Sequence, residues 1–126
     1  SERRKQSRPE AEAREPKRGD RRAAGCRVQL ARVPLLPNTL DLARSGFVTG
    51  ASGRNFAGCG DAVEFAVGDA KLVREVLTDP QTSGGLLAAC APDHVDGVLA
   101  TFRAEGFADA TVIGRITAGE PRIVVR

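Results

Sequence analysis

Cysteine and histidine are scarce in this sequence. Its 126 residues include three cysteines, Cys26, Cys59 and Cys90, and one histidine, His94. Because the cysteines are odd in number and form no CxxC pair, the sequence indicates neither a disulfide framework nor a zinc site. Cys90 is expected to be a buried thiol and Cys59 an exposed one, with His94 in contact with solvent. No nucleophile stands beside a base, so the sequence assigns no catalytic residue and no metal ligand.

Long apolar runs are also absent. No stretch approaches the roughly 20 apolar residues that span a bilayer, and no apolar signal core follows the N-terminus, so we predict a cytoplasmic protein without membrane contact. Residues 1–22 contain nine Lys and Arg, five Asp and Glu, and no hydrophobic residue besides two alanines. Such a segment cannot offset about 1–2 kcal/mol of backbone entropy per residue, so residues 1–23 are predicted to be a disordered basic tail. The tail has no aromatic residue, which makes nucleic-acid binding the weaker alternative for it.

Hydrophobic residues make up 41% of the sequence and are concentrated after Ala23. A segment of about one hundred residues suffices for one domain with its own core, and we place that domain at residues 24–126. Period-two patterns or short apolar runs predict strands at residues 26–33, 62–67, 86–91, 110–116 and 122–125. The continuous run at 86–91 predicts a strand buried on both faces, and the turn formers before residue 122 predict a hairpin of the last two strands.

Three segments have the pattern of helices. One ends at Gly46, one begins with a cap at Asp69, and one begins after Pro92 and ends before Gly106. Residues 49–60 contain four glycines and are predicted to be a loop. Strands and helices alternate, which favours an α/β (α+β two-layer) domain whose sheet is covered by helices on one face.

The segment DPQTSGG, at residues 79–85, is the most informative motif. Two glycines expose backbone N–H groups beside hydroxyl and amide side chains, a combination that suits a phosphate or another anion. The alternative is a tight helix-to-strand connection in which both glycines adopt positive φ. No lysine follows the glycines, so the segment is not a P-loop. The candidate binding residues are Asp79, Gln81, Thr82, Ser83, Gly84 and Gly85, with Asn55 of the other glycine-rich segment added as a weaker candidate.

Three strings carry a family resemblance: VPLLPNTLDLARSGFVTGASGRN from Val33, LTDPQTSGGLLAAC from Leu77 and VIGRITAGEPRIVV from Val112. In this order, the strings resemble the C-terminal half of selenide, water dikinases. The resemblance extends over residues 24–125, and LTDPQTSGGLL is its most specific part. It implies a fold similar to the C-terminal domain of aminoimidazole ribonucleotide synthetase, and a homodimer for the full-length enzyme.

The resemblance also implies a function for the whole enzyme, which uses ATP and magnesium to make selenophosphate from selenide. In that family the N-terminal ATP-binding half carries the reactive cysteine or selenocysteine, the lysine and most metal-binding aspartates. None of those motifs occurs here, so the chain is expected to be a fragment that is inactive alone and binds neither ATP nor magnesium in the family manner. Its expected partner is the N-terminal half, and the resemblance implies that Asp79–Gly85 and Asn55 face the shared cleft. The alternatives are a stand-alone anion- or nucleotide-binding module and another enzyme of the same superfamily.

Overall fold

The structure is a computed structural model, which describes residues 23–81 and 84–126. The predictions for residues 1–22, and those for Thr82 and Ser83, therefore lie outside the described residues. The secondary-structure elements, in chain order, are β1 (Ala24–Val28), α1 (Thr39–Arg44), α2 (Gly50–Ala57), β2 (Val63–Phe65), α3 (Ala70–Leu77), α4 (Val95–Ala104), β3 (Gly114–Ala118) and β4 (Ile123–Val125). Short 3-10 turns occur at Leu30–Arg32, Gly60–Ala62 and Pro92–His94. No helix in the described part of the chain is long and apolar enough to cross a membrane.

A mixed four-stranded sheet, in the order β2-β4-β1-β3, is the centre of the fold. Strand β1 pairs with β3 in antiparallel and with β4 in parallel orientation, and β2 pairs with β4 in parallel. Together with its helices the sheet forms an α+β domain, which confirms the predicted fold class.

The predicted C-terminal hairpin is wrong, because β1 lies between β3 and β4. Two strand spacings amount to roughly 10 Å. The residues between Ala118 and Ile123 are enough to cross that distance, since an extended chain covers up to about 3.5 Å per residue. Gly119, which adopts a positive φ of 124°, begins this crossing and donates its backbone N–H to the Ala23 carbonyl at 3.1 Å. The turn residues were identified correctly, but they connect strands that are not neighbours.

The side chains of the sheet separate into an apolar and a polar face. Strand registers align Phe65, Val125 and Val28 in one row, and Val125 is only 2% exposed. Alternation along the strands puts a second row, of Val63, Ile123, Cys26 and Ile116, on the same face. Ile116 at the β3 edge remains 62% exposed. Burial of this face is therefore concentrated toward β2 and β4.

Helix α3 forms as its sequence pattern predicts. The Asp69 carboxylate accepts a hydrogen bond from the Leu72 backbone N–H at 3.0 Å, which satisfies one of the unpaired donors at the start of the helix. Leu72 and Val73 are buried, at 7% and 5% exposure. The predicted ends of α1 and α4 are also confirmed, because Gly46 and Gly106 follow these helices with φ values of 89° and 92°.

Helix α2 contradicts the loop predicted at residues 49–60. Its glycines lower helix propensity, but tertiary contacts outweigh that cost. The Phe56 ring lies 6.0 Å from the Phe65 ring of β2, and the Arg74 guanidinium of α3 lies 5.0 Å from the centre of the Phe56 ring. Ser52, at 4% exposure, is buried against α3. These partners belong to other elements, β2 and α3, so the local composition of residues 49–60 gave no sign of them.

The strand predicted at residues 86–91 is also wrong. These residues are not in a strand and are exposed, with Leu86 at 79% and Leu87 at 77%. Cys90 is consequently exposed rather than buried, whereas the exposure predicted for Cys59 and His94 is confirmed. An apolar run indicates that burying its side chains would lower the free energy. A strand also needs a neighbouring strand whose backbone N–H and C=O groups are unpaired. In the described residues the sheet contains four other strands, and this segment is paired with none of them.

The first strand is displaced from its predicted position at residues 26–33. It begins at Ala24 and ends at Val28, because Gly114 of β3 and Val125 of β4 are the last residues that pair with it in the ladder. Beyond that point the chain turns into the 3-10 segment Leu30–Arg32. Strand length is thus set here by the extent of the two neighbouring strands.

Candidate functional site

The candidate segment begins where α3 ends. The Thr78 hydroxyl donates to the Arg74 carbonyl at 2.7 Å, and the Thr78 backbone N–H donates to the same carbonyl at 3.0 Å. These two bonds complete the last turn of the helix. Asp79 follows directly, so its position is tied to the end of a helix with a buried apolar face.

Both carboxylate oxygens of Asp79 accept hydrogen bonds. Oδ1 accepts from the Thr49 hydroxyl at 3.2 Å, and Oδ2 accepts from the Gln81 side-chain amide at 3.2 Å. Thr49 directly precedes α2, so this carboxylate connects two segments 30 residues apart in sequence. Two of the predicted candidates, Asp79 and Gln81, are therefore bonded to each other and held against α2.

Asn55 lies beside the same segment. Its side-chain amide donates to the Thr78 carbonyl at 2.8 Å. The structure thus brings together three predicted candidates, Asn55, Asp79 and Gln81, from two separate glycine-rich segments of the sequence. Asn55 occupies this position because α2 is helical, a feature that the sequence pattern did not predict.

Gly84 and Gly85 are exposed in an irregular segment. A Cβ atom on Gly84 would lie 2.7 Å from Cβ of Gln81, so a side chain at this position would require Gln81 to move. Gly85 has open space around it and, among the described glycines, is not one of those with positive φ. Glycine is therefore required at position 84 because the backbone there passes close to Gln81. The turn interpretation predicts a positive φ at Gly85, and that prediction is wrong.

Thr49 and Ser52 are the residues of this region that sequence reasoning missed. The Ser52 hydroxyl donates to the Glu75 carbonyl of α3 at 3.2 Å and lies 3.5 Å from the Thr49 hydroxyl. Together with Asn55 these residues recur at intervals of three, which places them along one side of a helix. That spacing was visible in the sequence, but it predicts a polar helix face only where a helix is already expected.

The groups gathered here are amides, hydroxyls, one carboxylate and exposed glycine backbone. Such groups bind and orient a ligand through hydrogen bonds. A shallow depression of about 250 Å³ lies elsewhere, before and along α1, and none of its lining residues belongs to the candidate site.

Magnesium does not fit the residues that the structure describes. Within residues 23–81 and 84–126, no three His, Cys, Asp or Glu residues are close enough together to hold a metal ion. Magnesium in proteins prefers one or two carboxylates together with waters or phosphate oxygens. Asp79 is the one carboxylate of the candidate site, and both of its oxygens accept hydrogen bonds from side chains. We assign no metal-dependent step to the described residues.

Comparison with known proteins supports the resemblance seen in the sequence. A family model described as AIR synthase related protein, C-terminal domain, matches residues 18–126. The selenide, water dikinases of Paraburkholderia xenovorans strain LB400 and Pseudomonas straminea are each 50% identical over 99 residues, which is 79% of this chain and 28% of theirs. The selenide, water dikinase of Dechloromonas aromatica is 46% identical over 93 residues, which is 74% of this chain and 27% of that relative.

The chain therefore spans a little over a quarter of the length of these curated relatives. The resemblance to selenide, water dikinases is confirmed by the relatives, and the family model extends over most of the chain. The chain accordingly belongs to the AIR synthase related proteins and represents their C-terminal domain.

Proposed function

We propose that this chain acts as the C-terminal part of a selenide, water dikinase. The identity of 50% over 99 residues to two enzymes of that name carries the proposal. The whole enzyme would pass one phosphoryl group of ATP to selenide and one to water, yielding selenophosphate and orthophosphate and leaving AMP. The reaction would take place in the cytoplasm.

In this proposal the chain shapes the active-site cleft and the N-terminal half supplies the reactive groups. Two features support these separate roles. The site residues are hydrogen-bonding groups, and the described residues include no group of three side chains that could hold a metal ion. The segment Asp79–Gly85 and Asn55 would face the cleft and help to position the phosphates by hydrogen bonding. The 126-residue chain alone would be inactive.

A graft tests this function. The matched segment of the Paraburkholderia xenovorans enzyme would be replaced by the corresponding residues of this chain, and selenophosphate and AMP formation from ATP and selenide would be followed by ³¹P NMR. We expect the graft to be active, and both the isolated chain and the truncated relative to be inactive. The matched control is a graft of the Pseudomonas straminea segment, which is also 50% identical to this chain over 99 residues.

Two outcomes would contradict the proposal. The first is an inactive graft with native circular dichroism and gel-filtration behaviour, when the control graft is active. The second is selenophosphate formation by the isolated 126-residue chain, which would show that the N-terminal half is not required.

A further inference from the structure

One side of α2 carries a row of polar side chains. Thr49, which directly precedes the helix, and Ser52 and Asn55 within it are spaced by three residues, so they follow one side of α2 and its start. All three form hydrogen bonds to residues 75–79, at the end of α3 or just after it. The row therefore faces one short stretch of chain, the stretch that leads into the candidate segment.

The end of α3 provides acceptors for this row. The last four carbonyls of a helix have no intrahelical N–H partner, and burying them unpaired costs free energy. The Ser52 hydroxyl donates to the Glu75 carbonyl at 3.2 Å, and the Asn55 amide donates to the Thr78 carbonyl at 2.8 Å. These two bonds attach α2 to the residues immediately before Asp79.

Thr49 extends the attachment beyond the helix. Its hydroxyl donates to one oxygen of the Asp79 carboxylate, while the other oxygen accepts from Gln81. Hydrogen bonds to a charged acceptor are stronger than those between neutral groups. A continuous chain of contacts consequently runs from the beginning of α2 through Asp79 to Gln81, the residue against which Gly84 packs.

The geometry points to Thr49 and Asn55 as positioning residues for the segment Asp79–Gln81. Thr49 sets the orientation of the Asp79 carboxylate, and Asn55 sets the path of the backbone at Thr78. Together they determine where the amide of Gln81 and the following glycines are presented. The benefit of this positioning rests on the proposed function, because that function makes Asp79–Gln81 part of the cleft. The positioning itself follows from the hydrogen bonds of this chain.

Backbone ¹⁵N relaxation of the full 126-residue chain tests the positioning. We expect order parameters of roughly 0.85 for the amides of Asp79 and Gln81, falling below about 0.6 in Thr49→Val. Thr49→Ser keeps the hydroxyl and should restore the original values. Order parameters of Leu72 and Val73 in α3 should not change in either variant, whereas general destabilisation would lower them as well.

A matched control uses the same substitution elsewhere. Thr101→Val removes a hydroxyl that donates to the Gly97 carbonyl at 3.0 Å within α4, and it should leave Asp79 and Gln81 unchanged. If Thr49→Val fails to fold, Asn55→Leu provides the second test, because it removes the donor to Thr78 and should loosen Asp79. Unchanged order parameters at Asp79 and Gln81 in a folded Thr49→Val or Asn55→Leu chain would overturn the inference.

A double-mutant cycle tests the route through Asp79. In an Asp79→Ala background, Thr49→Val should cause no further decrease at Gln81, because the shared carboxylate is already gone. A decrease as large as in the original background would mean that Thr49 acts by another route, and the inference would be wrong.

The active graft separates this inference from the proposed function. The loss of a hydrogen bond to a charged group corresponds to a decrease of about tenfold or more. If Thr49→Val lowers kcat/KM of the graft by that much and Thr49→Ser restores it, both are supported. If relaxation shows the segment loosened but kcat/KM is unchanged, the positioning stands and the role of Asp79–Gly85 in the cleft is wrong.

Discussion

At the residue scale, Asp69 shows how one side chain sets the start of a helix. Its carboxylate accepts from the Leu72 backbone N–H at 3.0 Å, and the sequence alone identified it as a cap. The prediction succeeds because a cap and its partner are three residues apart, so tertiary structure is hardly involved. Asn55 differs, because its partner at Thr78 is 23 residues away and becomes a neighbour only after α2 and α3 have packed.

Replacing Asp69 with alanine should destabilise the protein by about 1 kcal/mol, the usual cost of losing such a cap. Asp69→Asn preserves an acceptor and should cost less. The measurement is the free energy of unfolding from urea denaturation followed by circular dichroism. Asp41→Ala is the control: its ion pair with Arg44 is exposed, at 3.0 Å, and losing it should cost at most about 0.5 kcal/mol. Equal losses in Asp69→Ala and Asp41→Ala would contradict the capping role.

At the scale of elements, the close approach of β1 and β3 depends on Gly114. A Cβ atom at this position would collide with the Arg27 carbonyl of β1, with which β3 pairs. The sequence placed a strand here but gave no reason for a glycine inside it. Only the neighbouring backbone explains the absence of a side chain.

Gly114→Ala should therefore lower the free energy of unfolding by about 1–3 kcal/mol, the range for overpacking a tight site. Gly97→Ala is the matched control, because the same methyl group meets nothing within 4 Å in α4. Alanine at that position should stabilise the protein by about 0.5–1 kcal/mol through its better helix propensity. Effects of the same sign in both variants would show that the contact with Arg27 does not control the result.

At the scale of the whole molecule, more large apolar side chains are exposed than buried among the described residues. In the described residues the buried hydrophobic side chains are Ala43, Leu72, Val73 and Val125. Large apolar side chains are exposed at the same time, among them Leu36 at 81%, Leu86 at 79%, Leu87 at 77% and Phe47 at 74%. Large exposed apolar surface is typical of proteins that associate with a partner or with copies of themselves. We predict weak stability or self-association for the isolated chain.

Light scattering of the purified chain at increasing concentration should give a mass above that of a monomer. The double change Leu86→Glu and Leu87→Glu should shift the mass toward the monomer, because it removes apolar surface and adds charge. Changing Ala88 and Ala89 to glutamate adds the same charge with a smaller loss of apolar surface, and should have the weaker effect. A monodisperse monomer with a sharp thermal transition in the unaltered chain would contradict this prediction.

The sequence by itself determined the features that depend on near neighbours. These are the Asp69 cap, the glycines that end α1 and α4, and the family to which the chain belongs. Each structural feature depends on residues that are a few positions apart in the sequence. The family is identified from sequence motifs that can be compared directly with those of known proteins. Local periodicity carries this information because hydrogen bonds within a helix join residues four apart.

Only the tertiary structure decided the strand order, the helical state of residues 50–57 and the exposure of residues 86–91. It also decided which candidates meet, since Asn55 and Thr49 reach residues 78–79 across long separations in sequence. The physical reason is the same in each case. Pairing and packing free energies belong to groups that are distant along the chain, and they outweigh local propensities of a few tenths of a kcal/mol to about 1 kcal/mol per residue.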